Sequence, residues 1–238
     1  MVKKEHFTKT DIDAIYGNKT QNYFTPVLRD VINQITEVKS ICDVGCGNGI
    51  FTANLKKMMD CKLVGVDGSK YALDKAGGLN FDELHHIHDF SSDTLPFDDG
   101  IFDLVINKDV LEHLVQPEHL VNEITRITKR GGYVLIHVPN HFPVVGRLKL
   151  LFKNTIDPFH YFPESRRWNF PHIRFFNQKD FLDLMRSVEL EPIVNLCHHF
   201  PSFPKIGRLI PKNWKNYLAR QNPDLFAEGF TYLFHKWE

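Results

Sequence analysis

The 238 residues, 42% of them hydrophobic and 24% charged, suit one generous α/β domain with insertions and an ordinary soluble globular surface. No apolar run reaches membrane-spanning length, and the opening MVKKEHFTKTD has no signal-peptide core, so a cytoplasmic protein is expected. Four cysteines (Cys42, Cys46, Cys61 and Cys197) lack metal-type spacing and read as reduced, mostly buried thiols.

The formal charge is zero but unevenly placed: residues 141–222 hold 13 Lys/Arg against 6 Asp/Glu, so the remainder is acidic. That surplus is either an ordinary solvated face or a surface that meets an anionic acceptor.

In chain order, residues 1–37 read as an N-terminal helical cap, with Val27, Leu28, Val31, Ile32 and Ile35 at helical spacing. Ser40–Val44 is a short apolar strand, followed by Gly45-Cys46-Gly47-Asn48-Gly49 and a helix to about Met59. Cys61–Val66 is a second strand; Asp67-Gly68-Ser69 opens a helix over Lys70–Ala76, which Gly77-Gly78 ends. His85–His88 and Phe102–Asn107 are the third and fourth strands, Val110–Val115 and Glu118–Ile127 are helical, and Tyr133–Val138 is the fifth strand after Gly131-Gly132. This alternation predicts a doubly wound, mostly parallel sheet with helices on both faces.

Beyond Pro139 the texture changes. Residues 140–175 form an insertion rich in aromatics, prolines and bases, with one helical piece at Val145–Phe152. An amphipathic helix over Gln178–Val188 and a strand at Ile193–His198 follow. A second irregular insertion covers 199–226, and Phe230–Trp237 alternates like a final strand, so the two late strands suggest an antiparallel hairpin at one sheet edge. Residues 38–238 thus form one domain with two insertions.

The glycine loop between the first strand and its helix lets backbone approach a ligand at the C-terminal end of the sheet. Its G-x-G-x-G spacing differs from the G-x-G-x-x-G of dinucleotide binders. A pyrophosphate would gain nothing from Asp43 just before it, whereas a cationic, amino-acid-like ligand would, which favours S-adenosylmethionine (SAM) over a nicotinamide cofactor. Asp67, about twenty residues on, suits both hydroxyls of a ribose; the alternative is a helix N-cap. Asp89 can accept from an adenine amino group while Phe90 packs on the ring; the alternative is a plain loop aspartate.

Taken in order, DVGCGNG, VGVDGS, LPFDDGIFDLV and DVLEHL with GGYVLIHVPN resemble class I SAM-dependent methyltransferases over roughly residues 38–140, in the type-11 or ubiquinone-biosynthesis-like branch. HIRFFNQKDFLDLMRSVEL is similar to the last helix before the terminal strands of that family. The resemblance implies a Rossmann-like seven-stranded sheet with the seventh strand antiparallel. It also implies that Gly45, Cys46 and Gly47 line the methionine end of SAM, that Asp67 holds the ribose, that Asp89 and Phe90 hold adenine, and that Asn107 lies beside the methionyl portion. Gly49 and Gly68 complete the expected cofactor set, and Tyr16 or Tyr23 is a candidate to close over it.

Methyl transfer from a sulfonium needs in-line positioning and removal of the acceptor's proton. After strand four the chain reads Asn107-Lys108-Asp109-Val110. That is neither the Asn-Pro-Pro-aromatic signature of amide and exocyclic-amine methylation nor a Pro-Cys nucleophile, which leaves O-methylation of a small molecule. Asp109, Glu112 and His113 lie at i, i+3 and i+4 on one face of a short helix, with His113 as the candidate base and Asp109 as its catalytic companion. The same trio also reads as structural bracing. A divalent-metal site of the kind implied by some ubiquinone-pathway relatives' E-x-x-E-H segment is a third reading; with Asp109 in the first position, no metal is expected. His160, Tyr161, Arg166, His172 and Arg174, with Arg147, Lys149 and Arg167, form a basic, aromatic set suited to a phosphorylated or nucleotide-activated acceptor, such as a surface-glycan precursor. With a pI of about 7.2 and no appended RNA-binding module, a nucleic-acid partner is not expected. RNA methylation, a nicotinamide-dependent oxidoreductase and a non-enzymatic SAM-fold protein are the rival readings.

Overall fold

The computed structural model describes residues 31, 35, 37–56, 59–153, 172–198 and 211–237. The strands are β1 (Ser40–Val44), β2 (Lys62–Asp67), β3 (Glu83–His86), β4 (Phe102–Lys108), β5 (Thr128–Pro139), β6 (Leu190–Asn195) and β7 (Gly229–Lys236). They make one seven-stranded sheet in the order β3-β2-β1-β4-β5-β7-β6. β1 through β5 pair in parallel, and β7 lies antiparallel between β5 and β6. This is the predicted doubly wound, mostly parallel Rossmann-like sheet with its late antiparallel hairpin at one edge.

The helices that connect these strands are α1 (Ile50–Lys56), α2 (Lys70–Ala76) and α3 (Pro117–Ile127). The starts of α2 and α3 have local causes. Ser69 caps α2 by accepting from the Ala72 amide at 3.1 Å, and Pro117 opens α3 at its first turn, where its missing N–H costs nothing. Arg126 on α3 donates to both carboxylate oxygens of Glu123 at 2.8 Å and to the carbonyls of Leu95 and Phe97, which ties the helix to the loop before β4. The two sheet faces bury separate apolar layers. One contains Val44, Val66, Val105, Val134, Ile136 and the Phe181–Phe230 stack, and the other Ile41, Leu63, Leu104, Ile106 and Leu135. Val31 and Ile35, from the apolar pattern read in the N-terminal segment, are buried in the second layer.

Several boundaries differ from the sequence reading. β3 begins at Glu83, two residues before the expected His85–His88. As an edge strand it tolerates Glu83, which pairs at 2.6 Å with Lys62 on β2. β5 starts at Thr128, so Gly131 (φ 72°) and Gly132 lie inside the strand instead of turning into it. β6 begins at Leu190 and not Ile193; Pro192 is accommodated because β6 is the outer strand and the register shifts between Pro192 and Val194. The expected helix over Val110–Val115 is a single 3-10 turn, Leu111–His113.

After β5, α4 (Val144–Lys153) matches the expected helical piece, and α5 (Gln178–Arg186) is capped by Asn177 accepting from the Asp180 amide. Residues 211–226 are helical, contrary to the irregular insertion expected there: α6 (Lys212–Gln221) is followed by α7 (Pro223–Phe226). Proline and aromatic content suggested a loop, but Pro211 and Pro223 stand at helix starts. The side-chain amide of Asn140 donates to the carbonyls of Pro223, Asp224 and Ala227, fastening α7 to the end of β5. Residues 154–171 and 199–210, the cores of the two predicted insertions, lie outside the described residues, as do Tyr16 and Tyr23.

Candidate active site

The glycine loop leaves the end of β1 at the centre of the sheet. Gly45, Gly47 and Gly49 all have positive φ, at 84°, 56° and 73°. The amides of Gly45 and Cys46 both donate to the Val66 carbonyl on β2, at 2.7 and 3.0 Å, so the loop is pinned to the next strand. A Cβ on Gly45 would stand 2.2 Å from Cγ2 of Val110, whereas one on Gly47 would meet nothing within 4 Å. Gly45 is therefore a packing requirement, and Gly47 presents bare backbone to open space.

Two carboxylates flank this loop in different environments. Asp43 is buried and accepts from the Thr52 hydroxyl at 2.6 Å, which joins β1 to α1. Burial pushes its pKa up to about 7, against the lowering effect of the Thr52 hydrogen bond; the neighbouring Asp67 charge raises it further. Asp67 is half-buried at the end of β2. One of its oxygens accepts from the Gly47 amide at 2.7 Å and the other from the Ser69 amide at 2.8 Å. The cap of α2 is the Ser69 side chain, so the helix-capping alternative for Asp67 does not hold. Asp67 instead sets the shape of the glycine loop across twenty residues of sequence.

Asn107 is fully buried at the end of β4. Its amide donates to the Val44 carbonyl at 2.8 Å, and its side-chain oxygen has no partner among the described residues. An amide oxygen left in this way is a ready acceptor for an ammonium donor. Past β3, Asp89 is exposed, and its oxygens accept from the Ser91 amide at 2.8 Å and the Ser92 hydroxyl at 3.2 Å. Phe90 is half-buried against the main core, and the Gly68 carbonyl contacts the His86 ring at 3.1 Å. Open backbone at Gly47, the carboxylate of Asp67, buried Asp43 and the orphaned oxygen of Asn107 fit a cationic nucleoside with an amino-acid tail.

The expected catalytic trio splits. Asp109 has φ 55°, an uncommon conformation for a residue with a Cβ, and its carboxylate pairs with Lys108 and, at 3.3 Å, with His137 of β5. His137 is held in turn by the Thr231 hydroxyl at 2.7 Å. Glu112 and His113 meet His172. Nε2 of His113 lies 3.8 Å from the Glu112 carboxylate, that of His172 lies 4.0 Å from the same oxygen, and the two rings are 4.7 Å apart. Nδ1 of His172 is 2.9 Å from Nε2 of His141. One donor atom each from Glu112, His113 and His172 falls within 4.8 Å of the others, so among the described residues these three, and not the trio with Asp109, form a set that could hold a metal ion.

His172 reaches the cluster because residues 172–174 clamp the 3-10 turn: the amides of Ile173 and Arg174 both donate to the Glu112 carbonyl, at 2.8 and 3.0 Å. Arg174, expected to hold an acceptor, donates from its guanidinium to the carbonyls of Leu114 and Val115. It therefore braces the turn. His160, Tyr161 and Arg166 lie outside the described residues. Sequence reasoning missed Thr52, Lys108, His137 and His141. The signal for His137 was present, a polar residue near the C-terminal end of an otherwise apolar parallel strand, where open α/β sheets place their ligands.

This geometry defines a Rossmann-like crevice for a nucleoside ligand with a histidine cluster beside it. Residues 42–136 match the family described as methyltransferase domain. Over 134 residues it is 33% identical to the ubiquinone biosynthesis O-methyltransferase of Nitrosococcus oceani, covering 50% of this chain and 55% of that protein. It is also 30% identical over 133 residues to the tRNA (carboxymethyluridine(34)-5-O)-methyltransferase alkbh8 of Xenopus tropicalis, covering 53% of this chain and 20% of that one. The chain thus spans about half the length, or less, of these curated relatives. A putative methyltransferase from Bacillus halodurans shares the fold with a TM-score of 0.60 at 17% identity, covering 89% of this chain and 99% of that one.

Proposed function

We propose that this protein transfers the methyl group of SAM to a hydroxyl oxygen of a small anionic molecule in the cytoplasm, with His113 as the base. The observation that carries this reading is the packing of Val110 on Gly45. It puts the turn bearing His113 directly against the cofactor loop, so a proton acceptor and the cofactor crevice share one wall.

SAM, when bound, supplies an electrophilic methyl on a sulfonium. Asp67 is suited to the ribose hydroxyls, Asp89 and Phe90 to adenine, and Asn107 with Asp43 to the methionine end. The loop backbone of Gly45, Cys46, Gly47 and Gly49 leaves room for the ligand, and Gly68 follows at the ribose side. Each residue's part is preorganised: Asp67 and Asp43 are already fixed by hydrogen bonds in the protein, so little ordering remains on binding.

On the acceptor side, His113 takes the hydroxyl proton as the oxygen attacks. Glu112 lies beside the ring to stabilise the imidazolium that forms, and His172 and His141 extend the network away from the crevice. Asp109 acts at one remove, holding Lys108 and His137 at the end of the sheet. The positive surplus of residues 141–222 supports an anionic acceptor, a phosphorylated or nucleotide-activated metabolite.

The test is methyl transfer to a panel of phosphorylated and nucleotide-linked hydroxyl compounds. Product carrying a new methyl ether supports the reading, and transfer only to amines or carbon overturns it. The RNA reading is favoured by one observation, the likeness to a tRNA methyltransferase. Methylated RNA, with affinity falling steeply as salt rises, would select it instead.

A further inference from the structure

We infer that the helices following β5 and preceding β7 form a docking surface for an anionic phospholipid bilayer. On α4, Leu148, Leu151 and Phe152 fall at i, i+3 and i+4, one stripe of the helix, and Leu151 and Phe152 are 74% and 77% exposed. Arg147 and Lys149 flank that stripe on its two sides. Apolar side chains of this size, adjacent and facing outward, are uncommon on a protein that meets only water.

The second half of the surface is α6, where Trp214 and Tyr217, one turn apart with ring centroids 6.4 Å from each other, are 63% and 57% exposed. Lys215 stands between them in sequence, and the opposite face of the helix buries Ala219. Both helices pack against α7, which Asn140 fastens to the end of β5. The two exposed faces are thereby held on one end of the molecule, the end that carries the glycine loop and the histidine cluster.

Aliphatic residues flanked by bases, next to an exposed Trp–Tyr pair, match the chemistry of a bilayer interface. The apolar groups enter the acyl boundary, the aromatic rings sit at headgroup level, and the bases meet lipid phosphates. Charge complementarity selects the anionic surface, since the two helices carry six Lys/Arg between them and no Asp/Glu. No helix among the described residues is long and apolar enough to cross a membrane, so the contact is peripheral. Phe142 and Phe175, partly exposed with ring centroids 6.4 Å apart, continue an apolar path from α4 to His172.

The test is flotation of the full chain with vesicles of phosphatidylcholine alone and of an equimolar mixture with phosphatidylglycerol, alongside size-exclusion chromatography. The expected result is binding to the mixed vesicles only, weakened by salt. The double variant Leu151→Glu/Phe152→Glu should lower affinity at least tenfold, and Lys149→Glu and Lys215→Glu by about fivefold each. SAM binding should be unchanged in all of these; because the double variant carries new negative charge, Leu151→Ser/Phe152→Ser serves as the neutral control. Failure of the wild type to bind, equal binding to both vesicles, or a dimer that the double variant converts to monomer would overturn the proposal. Methyl transfer in vesicle-free solution is a separate readout, so loss of the docking idea leaves the methyltransferase reading standing.

Discussion

The two halves of the molecule solve different problems. Around the glycine loop the site is made mostly of backbone: three glycines with positive φ, amides pinned to Val66, and an aspartate whose oxygens hold the loop. The histidine cluster is made of side chains brought together from distant segments, as where His172 meets Glu112 and His113. A cofactor common to many enzymes can be met by a fixed backbone form, whereas an acceptor particular to one enzyme needs side chains that vary.

Substitutions can break this contrast, and the largest effect is expected on the side-chain half. His113→Ala should reduce turnover by about 100-fold or more while SAM affinity stays within roughly twofold, measured by initial rates and calorimetry. Unchanged turnover removes His113 as the base. Asp67→Ala strikes the backbone half and should do the reverse. Loss of charge-assisted bonds worth about 1.5–3 kcal/mol weakens SAM binding by roughly 10- to 150-fold and leaves the rate at saturating SAM less affected.

Gly45→Ala should destabilise the fold by about 2–4 kcal/mol, from a left-handed φ and the clash with Val110, read as a drop in denaturant midpoint. A Gly47→Ala variant incurs only the φ penalty, so the difference between the two measures the Val110 contact. The smallest effect concerns pH. Because the folded pKa of Asp43 is raised to about 7 from 3.8, its contribution to ligand-free stability is fully present below about pH 4 and is lost as pH rises through 7. Binding of a cationic ligand should release a proton from this group near neutrality. Calorimetry in buffers of different ionisation enthalpy would show that release, and Asp43→Asn should abolish it.

Legibility in the sequence follows the same division. β1, α2 and the glycine loop were readable to the residue because their signals are local: an apolar run, an Asp-Gly-Ser helix opening, glycines where φ must be positive. The meeting of His113 with His172 was not, because it crosses nearly sixty residues, and the departure of Asp109 depends on a single left-handed φ that directs it to His137. The helices at 211–226 were obscured by prolines that stand at helix starts, where composition alone suggests a loop.

The placement of β7 between β5 and β6 bears on how the chain is assembled. During synthesis β5 and β6 are both complete before residues 229–236 emerge, yet neither can pair with the other in the native order. Until that last segment inserts, each presents an open hydrogen-bonding edge, and the aromatic layer around Phe181 lacks Phe230 and Phe234. The sheet therefore becomes continuous only when residues 229–236 insert between β5 and β6, and an earlier intermediate keeps both of those edges unpaired.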